Sequence, residues 1–217
     1  AKACEAVAVV TGAGNVRLFA SLGAGRVIEG GPTMNPSTQE ILDAIEASTA
    51  GEAVVLPNNR NVVMSADQAA ALAGKPVCVV RTESIQAGLA AMVAYDPART
   101  AEANAVEMHE ALEGLATGAI AISSKAAEVD GVHVREGAYL GRVATKAVAS
   151  GESFDEVACA VADRLLSEPR ELLTLVVGET EPDLAALIEH LSQRHPLVEL
   201  DVQVGGQPHY PLLLSVE

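Results

Sequence analysis

The sequence has no tryptophan, and aromatic residues make up only 2% of its 217 residues. A core built on large rings is therefore excluded. The hydrophobic fraction of 49% is carried by small and aliphatic side chains instead. Such side chains let helices lie close to a parallel sheet. Basic residues are also scarce: 14 Lys and Arg stand against 29 Asp and Glu, a net charge of −15. A nucleic-acid binder needs a basic face, and none is visible. Lipid headgroups are excluded as the main partner on the same ground. The acidic surface favours solubility and a basic patch on any partner.

Only three cysteines occur, Cys4, Cys78 and Cys159, far apart and without a Cys-x-x-Cys pair. An odd count without framework spacing reads as a reducing, cytoplasmic compartment. No Cys/His cluster has zinc-ligand spacing, so no metal site is expected. No apolar run approaches about 18 residues, the length a membrane-crossing helix needs. No basic start precedes an apolar run, so no signal peptide is read. The chain opens at Ala1 and not Met, directly into a strand-like run, as a piece of a longer protein would.

What is present alternates. Glu5 to Val10 is a continuous apolar run, the mark of a buried parallel strand. A short helix follows over Asn15 to Leu22, a strand over Arg26 to Glu29, and an amphipathic helix over Ser37 to Ser48. Strands over Ala53 to Leu56 and Pro76 to Val80 alternate with helices over Ala66 to Ala73 and Ser84 to Tyr95. This βαβαβαβα order predicts a doubly wound parallel sheet. Asp96-Pro97 marks a boundary, dividing the chain into lobes 1–97 and 98–217.

After a helix over Thr100 to Leu115 the pattern becomes mixed α/β. Strands are predicted over Gly118 to Ser123 and Gly131 to Glu136, with Asp130-Gly131 as a hairpin turn. Gly137 to Leu140 continues the antiparallel pattern. Ser153 and Glu156 form a capping box for a helix to Leu166. A strand over Leu172 to Val177 and a helix over Glu181 to Arg194, with Pro182 in its first turn, come next. The last strands, Val198 to Val204 and Leu212 to Val216, flank Gly205-Gly-Gln-Pro-His-Tyr-Pro211, which reads as a hairpin connection.

Ligands meet open parallel sheets at the carboxyl ends of the strands. The loops there are Thr11 to Asn15, Gly30 to Thr38, Pro57 to Asn61 and Arg81 to Ser84. Gly12-Ala-Gly14 lacks the third glycine of a dinucleotide fingerprint, since residue 17 is Arg, and a plain tight turn is the better reading. Asn58 and Asn59 suit left-handed turn positions as well as contact roles. Thr82 and Ser84 suit helix capping. The stretch GGPTMNPST is stiffened by prolines and enters a helix at Asn35 or Ser37, and turn and binding loop both stand. His109, His133, His190 and His195 sit on regular elements or helix ends, where a structural role is the better reading. His209 alone has an unusual setting. No nucleophile–base pair is found, so no catalytic residue is assigned.

The stretches Gly30-Gly-Pro-Thr-Met-Asn-Pro-Ser-Thr38, Leu56-Pro-Asn-Asn-Arg-Asn61, Thr82-Glu-Ser-Ile-Gln-Ala-Gly-Leu-Ala-Ala-Met92 and Gly205-Gly-Gln-Pro-His-Tyr-Pro211 together resemble the C-terminal region of the bacterial fatty acid kinase catalytic subunit. That family is also labelled dihydroxyacetone kinase-like or "DAK phosphatase". The resemblance covers the whole chain and implies a DegV-like fold of two lobes. It implies a kinase that phosphorylates a fatty acid held by a separate DegV-type subunit, giving acyl phosphate for phospholipid synthesis. ATP and magnesium would belong to an N-terminal domain absent here, leaving no cofactor for this region. The family pattern has Gly-Gly-Gln-Thr-Met, and Pro32 stands here in the glutamine place, which removes an amide and a backbone donor.

Two functions follow from the resemblance. The first is a non-catalytic domain that docks the fatty-acid-binding subunit, with a homodimer left open. The second is a DegV-like domain that itself binds a fatty acid or small anion. The binding or partner surface implied is Thr33, Met34, Asn35, Ser37, Asn58, Asn59, Asn61, Thr82, Ser84 and His209. A hydrolase, suggested only by the phosphatase label, lacks a metal-ligand cluster to activate water.

Overall fold

The computed structural model describes residues 2–31 and 33–217. The chain divides into two compact units, one running to Glu113 and the other from Gly114 to Glu217. The division thus falls after the helix that follows Asp96-Pro97, not before it, because that helix packs on the first unit's strands.

The first unit holds β1 (Cys4–Val10), α1 (Ala13–Ser21), β2 (Arg26–Glu29), α2 (Thr38–Ala47), β3 (Glu52–Leu56), α3 (Arg60–Leu72), β4 (Val77–Val79), α4 (Ile85–Val93) and α5 (Ala101–Leu112). Its sheet has the order β2-β1-β3-β4, all parallel. Every residue of β1 is buried, so both faces of the sheet are covered. The helices form two packed groups, α2 with α3, and α4 with α1 and α5. This is the doubly wound arrangement that the alternating pattern predicts. Phe19 of α1 and Ile41 and Ile45 of α2 are fully buried.

Helix starts follow the capping side chains. Ser37 Oγ accepts from Glu40 N, Ser84 Oγ from Ala87 N and Thr100 Oγ1 from Ala103 N. The helix predicted from Ala66 begins earlier, at Arg60, because Asn59 caps it through its Oδ1.

The second unit holds β5 (Ala116–Ile122), β6 (Ala127–Val129), β7 (Val132–Val134), β8 (Tyr139–Val143), β9 (Lys146–Gly151), α6 (Phe154–Leu165), β10 (Leu172–Val177), α7 (Ala185–Arg194), β11 (Glu199–Val204) and β12 (Leu212–Val216). Its main sheet has the order β11-β10-β12-β5-β8-β9. Among the described strands of this sheet, only β10 and β11 pair in parallel. Helices α6 and α7 cover one face through Val157, Val161, Leu165, Leu187 and Leu191, against Leu173, Leu175 and Leu214.

Three sequence expectations change here. The Asp130-Gly131 turn does make a hairpin, but between β6 and β7, which form a small sheet of their own. Helix α7 starts at Ala185 and not Glu181. Glu181 has φ 46°, and Asp183 Oδ1 accepts from Ala185 N, so Pro182 lies outside the helix. The last two strands are not a hairpin. They lie on opposite sides of β10, and Gly205 to Pro211 crosses over its end.

Candidate functional site

The carboxyl ends of β2, β1, β3 and β4 lie along one edge of the first unit's sheet. The strand order reverses between β1 and β3, the switch point where open sheets of this kind take ligands. Asn58 stands there, just beyond β3, with φ 56°. It is 2% exposed. Its backbone N donates to Thr82 Oγ1 at 3.0 Å, and its Nδ2 donates to the carbonyl of Val9 in β1 at 3.0 Å. Thr82 is fully buried. The side-chain amide therefore spans the crevice and ties β3 to β1, while the backbone ties the same residue to the end of β4.

Helix α4 makes room for this bridge. A Cβ on residue 88 would lie 2.0 Å from Asn58 Oδ1, so only glycine fits at Gly88. Asn15, also buried, donates from Nδ2 to the carbonyl of Thr11 at 2.9 Å and closes the turn after β1. Gly12 has φ 96° and begins α1 without a side-chain cap.

The loop after β2 flanks the other side of β1. Gly30 N donates to Val10 O at 2.8 Å, and Met34 N donates to Gly31 O at 3.1 Å. Met34 is buried with φ 49°. Thr33, Asn35 and Ser37 are exposed. Pro32, at the place where the family pattern has glutamine, lies outside the described residues. Around the rim, Arg60 pairs with Glu83 and Arg81 with Asp67, each at 3.2 Å. These pairs are exposed and contribute about 0–1 kcal/mol each. The backbone N of Arg81 donates to His109 Nε2.

The structure thus sorts the sequence candidates. Asn58 and Thr82 meet directly and face inward. Asn59 and Ser84 cap α3 and α4. Thr33, Asn35, Ser37 and Asn61 are exposed. His209 belongs to the second unit, in the crossing over β10. There it lines a pocket of 310 Å³ together with Ser123, Ser124, Glu179, Thr180 and Tyr210. Gly88, Asn15 and Gln207 lie in stretches that the sequence singles out, but it gives none of them a role of its own. Gln207 is 1% exposed and donates from Nε2 to the carbonyls of Val176 and Tyr210. Among the described residues, no group of His, Cys, Asp and Glu is arranged to hold a metal ion. No helix among them is long and apolar enough to cross a membrane.

Elsewhere, burial pushes the Cys4 thiol up to about 11 and the Tyr95 phenol up to about 12. Burial alone would raise Glu5, but hydrogen bonds from Ser48 and Lys2 hold its carboxyl below the usual range. At Asp163 burial likewise works upward, and hydrogen bonds from His195 and His190 outweigh it and lower the pKa.

Comparison with known proteins adds the kinship. An uncharacterized protein of Staphylococcus haemolyticus is 38% identical over 213 residues, which cover 97% of this chain and 39% of that protein. The chain thus spans about two fifths of that relative's length. Among solved structures, a DegV family protein of Ruminococcus gnavus, described with vaccenic acid, matches with a TM-score of 0.67 at 11% identity. That match covers 100% of both chains. The Streptococcus pneumoniae fatty acid kinase B3 protein, loaded with linoleic acid, matches with a TM-score of 0.62 at 12% identity, over 84% of this chain and 76% of that one. These likenesses show a DegV-like fold. The family model for the C-terminal region of FakA-like fatty acid kinase proteins matches residues 5–217, and the chain belongs to that family.

Proposed function

We propose that the chain is the docking domain of a fatty acid kinase: it holds a fatty-acid-binding subunit of DegV type so that the acyl group is phosphorylated by another part of the kinase. Membership of the FakA-like family supports the kinase setting. The observation that carries docking over ligand binding is Asn58. At the switch point, where a small ligand would enter, its amide bridges β1 and β3 and packs on Gly88. Asn58 N and Nδ2 and the Thr82 hydroxyl are occupied by protein partners, while Asn58 Oδ1, packed against Gly88, accepts no hydrogen bond among the described residues. Thr33, Asn35, Ser37 and Asn61 remain as an exposed polar rim, and an outer surface of this kind suits a macromolecular partner better than an acyl chain.

The test is calorimetric titration of this chain with a fatty-acid-loaded DegV-type subunit. Binding is expected, and Asn61→Arg or Thr33→Arg is expected to abolish it without lowering the unfolding midpoint. Absence of heat with a properly loaded partner overturns the proposal. Native mass spectrometry of the purified chain tests the alternative: a persistent acyl-chain mass favours a fatty-acid-binding domain.

A further inference from the structure

The second unit carries a pocket that the docking face does not use. It lies where the parallel pair β10 and β11 ends, and its walls are built rigidly. Tyr210 N donates to Pro208 O at 2.8 Å across His209, whose φ is 68°. This is a left-handed γ-turn, a strained geometry for a residue with a side chain. Neighbouring groups hold it in place. Gln207 Nε2 donates to the carbonyls of Val176 and Tyr210. Gly178 N donates to Pro211 O and Glu179 N to Gln207 O, both at 2.9–3.0 Å. A Cβ on residue 178 would lie 2.1 Å from Tyr210 O, so the loop can close only over glycine.

The chemistry of the lining is uneven. Ile122 and Tyr210 are large apolar groups left 43% and 41% exposed. Tyr210 is one of only five aromatic residues, three Tyr and two Phe, in the whole chain. Hydroxyl residues Ser123, Ser124 and Thr180 surround them, and Glu179 supplies a carboxylate. No Lys or Arg is among the described lining residues. The segment that provides Glu179 and Thr180 continues into Glu181 and Asp183, both exposed. The volume of 310 Å³ is at the lower end of the range of about 300–1,000 Å³ for ligand pockets and has room for one long side chain.

We infer that this pocket seats one cationic side chain of a partner protein, an arginine with its stem along Ile122 and Tyr210 and its guanidinium beside Glu179. Arginine fits because its planar head stacks on an aromatic face while it also meets a carboxylate and hydroxyl oxygens. Its aliphatic stem covers apolar surface that would otherwise face water. The net charge of −15 draws a basic partner to the site. A rigid pocket with an aromatic wall is also the usual form of an interface hot spot.

The test is backbone amide NMR of the whole 217-residue chain, titrated with N-acetyl-arginine methylamide. Saturable shifts are expected at Ser124, Glu179, Thr180 and Tyr210. The citrulline counterpart, equal in shape and neutral, is expected to shift none of them. Glu179→Gln should weaken binding about fivefold, the upper range for an exposed ion pair. Tyr210→Leu, which keeps apolar bulk, should weaken it about threefold. Unchanged resonances elsewhere report that each variant is folded. Equal binding of the citrulline compound, shifts scattered over the acidic surface, or no shift at all overturns the inference. Guanidinium ion binding as tightly as the capped arginine overturns the role of the stem. This result is independent of the docking face on the first unit, since failure of that face leaves these shifts in place.

Discussion

Each unit closes the end of a parallel strand pair with a buried side-chain amide, and the two amides do opposite things. In the first unit Asn58 Nδ2 reaches directly across the crevice to Val9 O. Its short side chain is buried between the two strand ends. In the second unit the longer Gln207 reaches the carbonyls of Val176 and Tyr210. It braces the loop and is itself part of the lining of the pocket beside it. Both positions need a glycine opposite, Gly88 for Asn58 and Gly178 for the loop of Gln207. The same hydrogen-bonding device therefore ties two strands together in one place and braces a loop beside a recess in the other. The difference comes from side-chain reach and from which backbone it ties.

The comparison is open to breakage. The largest effect is expected from Gly178→Ala, whose Cβ would lie 2.1 Å from a backbone oxygen that cannot rotate away. We expect a loss of about 3 kcal/mol by urea denaturation, at the upper end for overpacking, with amide exchange accelerated in β10. The matching break in the first unit is Thr82→Val. It keeps the shape but removes the acceptor of Asn58 N, leaving a buried donor unpaired at a cost of about 2 kcal/mol. Accelerated exchange should then appear in β3 and β4. A loss under about 0.5 kcal/mol would mean that the bridge does not hold the edge closed.

Acid should act on both units through their lowered carboxyls, Glu5 in the first and Asp163 in the second. A carboxyl whose folded pKa is depressed stabilises fully above its unfolded pKa, and that contribution fades as the pH falls through the folded value. Glu5→Gln should therefore cost about 1.5 kcal/mol at neutral pH and nothing in strong acid. Asp163→Asn should cost less, because the side chain of Asp163 is 35% exposed against 9% for Glu5. Stability measured across pH checks both, and equal slopes for wild type and variants would remove the carboxyls from the account. The smallest effect is His209→Gly, which releases a left-handed residue and should stabilise by about 1 kcal/mol. Capped-arginine binding should weaken in the same variant, since the turn that positions Tyr210 loosens.

Much of the architecture was legible because it is local. The apolar run Glu5 to Val10, the caps at Ser37, Ser84 and Ser153, and the alternation of strand and helix all survive in the structure. The missed features are set by distant partners. Asn58-Asn59-Arg60-Asn61 has a loop's composition, and only the Asn59 cap shows that a helix starts there. The crossing of Gly205 to Pro211 looks like a hairpin because sheet order is not written in a connection's length. Asn58 and Thr82 were legible as polar loop residues at the carboxyl ends of strands by position and type. Their hydrogen bond to each other was not, since it joins loops 24 residues apart. The packing role of Gly88 and Gly178 is not written in the sequence, because a missing Cβ matters only where another atom takes its space.

The position of β12 has a consequence for how the chain is made. It lies inside the second unit's sheet, between β10 and β5, and all five of its residues are buried. Strands β8 and β9 can add to β5 early, through short connections. The pairing of β5 with β12 spans nearly the whole unit, from Ala116 to Val216. Until β12 inserts, β5 and β10 each expose a bare edge of apolar strand. Such contacts of high sequence separation form slowly, and open edges meanwhile invite pairing with other chains. The second unit is therefore the aggregation-prone half during synthesis, whereas each strand of the first unit can join its sheet soon after it emerges.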